Sequence, residues 1–88
     1  MDTIDIKKVP ITEDSELSDT LRAVSSNPTN VVLRGNLASL LERKHDYAAA
    51  ILQYEVLMGL DPDNRKGYQA RIDQNLDFAM REMGFLEK

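Results

Sequence analysis

Apolar residues recur at helical spacing along most of this chain. Between Val31 and Pro62, Leu33, Leu37, Leu40 and Leu41 stand at i, i+4, i+7 and i+8, which puts them on one stripe of an α-helix. The polar stretch Arg43-Lys44-His45-Asp46 interrupts the pattern, which resumes as Tyr47, Ala50, Ile51, Tyr54, Leu57 and Met58. So short a connection makes the two helices antiparallel. Upstream, Thr12 suits an N-cap, Glu13, Asp14 and Glu16 favour a first turn, and Leu17, Leu21 and Val24 form a shorter stripe. Downstream, Tyr68, Ile72, Leu76, Ala79, Met80 and Met83 carry an inward stripe to Gly84, a C-terminal stop. The expectation is an all-α domain over residues 12–88, with helices at about 13–26, 30–44, 46–60 and 64–84. Residues 1–11 precede it as a flexible or extended tail, with Ile4, Ile6, Val9 and Ile11 among charged residues and Pro10 breaking any helix.

Two turn sequences, Asn27-Pro28-Thr29-Asn30 and Asp61-Pro62-Asp63-Asn64, place their prolines 34 residues apart, each after one stripe and before the next. That is the period of a helix–turn–helix solenoid unit. Counted from Val31, residues Leu37, Ala38, Leu41, Ala50, Tyr54, Leu57 and Pro62 fall at the signature positions of a tetratricopeptide repeat, which the stretch resembles. The departures are Arg34, where the family has a large aromatic, and His45, where it favours glycine; a left-handed backbone is expected at His45. Residues 12–30 resemble the second half of a preceding unit and 65–76 the first half of a following one, with Tyr68 and Ile72 matching and Arg71 and Asn75 departing. Arg71 and Asn75 read as part of a polar outer face, continued by Asp77, Arg81 and Glu82, such as closes a solenoid. The resemblance implies a right-handed stack of about four helices, in which Ala38 and Ala50 let neighbouring helices approach closely.

The composition narrows the chemistry. Eleven Lys and Arg against fifteen Asp and Glu give a net charge of −4, and the one dense basic run, Arg43-Lys44-His45, sits at a helix C-terminus where cations suit the dipole. Nucleic acid is therefore not an expected partner. There is no cysteine, no apolar run long enough to span a membrane, and no apolar leader behind Asp2 and Asp5, so a cytoplasmic location is expected. The single histidine, His45, lies in a turn beside the capping Asp46 and makes neither a nucleophile's base nor a zinc site. Counted from Asp61, a calcium loop would need Gly at position 66 and Glu at 72, where Lys66 and Ile72 stand. Gly35, Gly59, Gly67 and Gly84 are too scattered to cradle a phosphate. No catalytic residue, metal or cofactor is expected.

The expected function is a non-enzymatic protein–protein interaction module, of the adaptor, scaffold or co-chaperone-like kind, that binds a peptide or helix of another protein. The groove positions implied by the resemblance are Val32, Gly35, Asn36, Ser39 and Arg43, then Gln69, Ala70, Asp73 and Asp77. Where some family members clamp a terminal carboxylate with lysine and asparagine, this chain has Gly35 and Ser39, then Gln69 and Asp73. Asp73 and Asp77 suit a basic or neutral ligand instead. The alternative is a small structural subunit that assembles with itself or within a larger complex. Its candidate contacts are Met80, Met83, Phe85 and Leu86, and the tail offers Ile4, Ile6, Val9 and Ile11 to an apolar groove.

Overall fold

The computed structural model describes residues 15–84. They form four α-helices: α1 (15–26), α2 (Val31–Arg43), α3 (Tyr47–Leu60) and α4 (Arg65–Glu82), with a 3-10 turn at Pro62–Asn64 before α4. No strand occurs among the described residues. The tail, the Thr12 cap with Glu13 and Asp14, and the contacts expected of Phe85 and Leu86 lie outside them.

Local chemistry sets each boundary. Asn30 caps α2 by accepting the Leu33 amide at 3.0 Å, and Asp46 caps α3 by accepting the Ala49 amide at 3.2 Å. Between these helices His45 takes φ +65°, the left-handed conformation expected of it. The amide of His45 then reaches the Glu42 carbonyl (3.0 Å) and that of Asp46 the Leu41 carbonyl (2.9 Å), the paired bonds of a Schellman turn. Pro62 opens the 3-10 turn, where its missing amide costs nothing. Gly84, at φ +86°, turns the chain just past α4.

Helix α3 packs against both α2 and α4. The core joins Val24 of α1, Leu37, Ala38 and Leu41 of α2, Ala50, Tyr54 and Leu57 of α3, and Ile72 of α4. Ala38, Ala50 and Leu57 have no accessible surface, so a larger side chain at either alanine meets packed neighbours. Arg34, which stands where an aromatic was expected, works by hydrogen bonding. Its guanidinium donates to Gln53 Oε1 of α3 and to the Pro28 carbonyl, both at 2.8 Å, and so ties the first turn to the core.

Helix α4 corrects the sequence reading. Its inward residues are Tyr68, Ile72, Asn75 and Ala79, spaced by four, three and four. Leu76, expected inside, is 46% exposed; Met83 is 66% exposed and Met80 also faces outward. Asn75, expected on a polar outer face, is fully buried. Leu21 of α1 is likewise exposed, leaving Leu17 and Val24 to pack.

Candidate interaction surface

The end of α2 reaches α4 through polar contacts. The Glu42 carboxylate near the end of α2 accepts a short bond from Arg71 Nη2 through Oε1 and another from Asn75 Nδ2 through Oε2 at 2.6 Å. Asn75 Nδ2 also donates to the Arg71 carbonyl of its own helix at 2.7 Å. Both acceptors require the amide nitrogen, which fixes the orientation of the Asn75 side chain and leaves its Oδ1 without a protein partner. Arg71 Nε lies 3.4 Å from the Tyr54 hydroxyl, with the guanidinium 5.9 Å from that ring's centroid. The Tyr54 hydroxyl first, and the Glu42 carboxylate after it, keep the guanidinium more firmly protonated than an isolated arginine.

A second bridge lies beyond it. His45 Nδ1 is 2.8 Å from Glu82 Oε2, the imidazole stacks on Tyr47 at 5.5 Å, and Tyr47 tilts against Phe78 at 5.6 Å. Loss of hydration, then the nearby Glu82 carboxylate, raise the Tyr47 phenol above its ordinary range. At the opposite end of α4, Asp61 Oδ2 accepts from Asn64 Nδ2 (2.8 Å) and the Tyr68 hydroxyl (2.7 Å). These bonds lower the Asp61 carboxyl below its ordinary value, and donating its proton to Asp61 raises the Tyr68 phenol above its own.

Helices α2 and α4 both pack on α3 and meet at the polar bridge near the end of α2, and the expected groove residues lie on the faces turned from α3. Val32, Asn36 and Ser39 are exposed on α2 and Gly35 is half-buried. On α4, Gln69, Ala70 and Asp73 are exposed and Asp77 is half-buried. Gln69 donates to Asp73 Oδ1 at 3.1 Å, and Arg81 pairs with Asp77 at 3.3 Å. Arg43 departs from the group: its guanidinium lies 3.6 Å from Glu16 of α1. An open cleft of about 480 Å³ lies on that side, lined by Glu16, Leu40, Arg43 and Lys44.

Glu42, Arg71 and Asn75 were not expected to meet. The signal was available in the 34-residue period, which maps Asn75 onto Leu41 and Arg71 onto Leu37, both buried. A polar residue at a buried register position needs a partner, and Glu42 is the carboxylate next to Leu41.

Among the described residues, no helix is long and apolar enough to cross a membrane, and no group of three His, Cys, Asp or Glu side chains is arranged to hold a metal ion. The chain matches no family model, no curated protein and no solved structure.

Proposed function

We propose that this domain is a tetratricopeptide-like interaction module. Its right-handed stack would present the outer faces of α2 and α4 to a peptide or helix of another protein. The observation that carries this reading is that α2 and α4 both pack on α3 and are joined by Glu42 to Arg71 and Asn75. Their outer faces mix the small and polar Gly35, Asn36, Ser39, Gln69 and Ala70 with Val32 and the charged Arg43, Asp73 and Asp77. Small side chains at Gly35, Ser39 and Ala70 leave room for a ligand backbone, and Asn36 and Gln69 offer donors and acceptors to it. Asp73 and Asp77 make that end acidic, so the ligand is basic or neutral. The module has no catalytic role in this reading.

The test is capture of a partner by the intact protein against an Asn36→Ala/Asp73→Ala variant. Loss of capture with helicity unchanged supports the reading. Equal capture by both proteins removes the groove from consideration.

A second reading, a small structural subunit, is favoured by one specific observation. Leu76, Met80 and Met83 form an exposed apolar stripe along α4. In that reading the stripe is the contact, and Met80→Glu/Met83→Glu would release the protein from its assembly.

A further inference from the structure

The last turn of α4 meets the turn between α2 and α3 through a side chain that changes charge near neutrality. His45, at φ +65°, places Nδ1 2.8 Å from Glu82 Oε2. Its ring stacks on Tyr47, and Tyr47 tilts against Phe78 of α4. The contact to Glu82 is made through Nδ1, whereas a neutral imidazole ordinarily carries its hydrogen on Nε2. Neutral His45 therefore turns a bare lone pair toward the carboxylate or takes its less favoured tautomer; protonated His45 donates from Nδ1 with a full charge. It is the chain's only histidine and there is no cysteine, so no other side chain of ordinary pKa titrates between about pH 5 and pH 8. Carboxylates, lysine and arginine keep their charge over that range. Glu42 accepts from Arg71 and Asn75, Arg43 lies beside Glu16, Asp46 caps α3 and Arg81 pairs with Asp77. Lys44, next to His45 in the chain, stays a cation, and the Tyr47 phenol is raised above its already high range.

We propose that protonated His45 latches the last turn of α4 onto the α2–α3 turn, and that this end of α4 opens as pH rises and the imidazole loses its charge. The direction follows from linkage: a base whose charged form is held only by the docked turn contributes in mild acid and stops contributing in mild base. The pair is exposed, with side chains 64% and 47% accessible, and across a whole domain it would matter little. A helix end is different. Its last carbonyls have no partner within the helix and it opens at little cost, so an exposed ion pair is enough to change its opening by about two- to five-fold. The last turn carries Met80 and is capped by Met83, so this part of the exposed apolar stripe is presented in order in mild acid and loosened in mild base. The inference rests on neither functional reading.

Backbone carbon chemical shifts of the intact chain, recorded from about pH 5.5 to about pH 8, give the helix population residue by residue and test it. In the wild type the non-helical fraction at residues 80–83 should rise by about two- to five-fold over that range, with Ile72 and the middle of α4 unchanged. Glu82→Gln removes the charge that His45 pairs with and keeps the side chain's length. His45→Asn keeps a residue that tolerates the left-handed turn but does not titrate. Both variants should hold residues 80–83 at one population throughout, with the helical circular dichroism of the domain retained. A wild-type population that does not move with pH overturns the proposal, as does a response that persists in either variant. A response spread equally along α4 overturns it too, because it reports the stability of the whole domain rather than of this turn.

Discussion

Replacing Glu42 with alanine removes the acceptor that α4 is docked on. Asn75 Nδ2 keeps its bond to the Arg71 carbonyl but loses the 2.6 Å bond to the carboxylate, and the Asn75 side chain is fully buried. Leaving a buried donor unmet costs about 1–3 kcal/mol. The Arg71 side chain is 46% exposed and can turn to water, so its ion pair adds less than about 1 kcal/mol. The loss expected for Glu42→Ala is about 2–3 kcal/mol. At roughly 0.05–0.15 kcal/mol per residue, a domain of this size has about 4–10 kcal/mol in all. The melting temperature followed at 222 nm should therefore fall by roughly 10–20 °C. Glu42→Gln keeps an acceptor for Asn75 and should cost under about 1 kcal/mol. In a double-mutant cycle with Asn75→Ala, the two sites should couple by about 1 kcal/mol or more. Glu42→Ala within about 0.5 kcal/mol of wild type, or an additive cycle, would refute the claim that this network holds α4 in place.

Four further outcomes follow from the geometry. At position 45, glycine should be more stable than alanine by about 1 kcal/mol in urea titrations, because both lack the imidazole and only alanine carries a Cβ at φ +65°. Asn30→Ala and Asp46→Ala should each cost about 1 kcal/mol in the same assay, through loss of the caps on α2 and α3. Ala50→Leu, at a position with no accessible surface, should cost about 1–3 kcal/mol or prevent folding, while Ala48→Leu on the outer face of the same helix should be nearly neutral. The Asp61 carboxyl titrates lower in the folded than in the unfolded chain, so its contribution is complete above about pH 3.8 and is lost as pH falls through the folded value. Asp61→Asn should accordingly melt below wild type near neutral pH, with the difference shrinking in acid; a difference that widens in acid contradicts the assignment.

The helices and their turns were legible because short-range chemistry decides them. Asn30, Asp46, Pro62 and Gly84 act within a few residues of themselves, and the stripe Leu37–Leu41 is buried as its spacing implies. Arg34 was legible only as a departure. That it reaches Gln53, nineteen residues away, depends on how α3 returns past the first turn. The inward face of α4 was misread for the same reason. Hydropathy alone favours Leu76 and Met80 over Asn75, and the acceptor that reverses the preference lies 33 residues earlier.

That reversal has an energetic argument behind it. Asn75 and Leu76 are about 100° apart on the helix, so burying one turns the other toward water. Full burial of Leu76 would be worth about 1.5–3 kcal/mol, comparable to the whole Glu42 network. The rotation is decided by what else travels with each choice. Turning α4 toward Leu76 would carry Tyr68 away from Asp61 and Arg71 away from Tyr54 and Glu42, and would strand the Glu42 carboxylate, which is only 15% exposed, without a partner. Ile72 and Ala79 flank Asn75 and gain nothing from the turn. The observed rotation thus keeps the polar contacts and leaves Leu76, Met80 and Met83 outside. Exposed apolar surface on α4 is a consequence of satisfying Asn75. On α3 no comparable constraint turns Leu52 and Val56 outward, since Ala50, Tyr54 and Leu57 already fill the inner face and polar residues there would have cost the fold nothing. Of the two stripes, the α3 one is the one that packing among the described residues leaves unexplained.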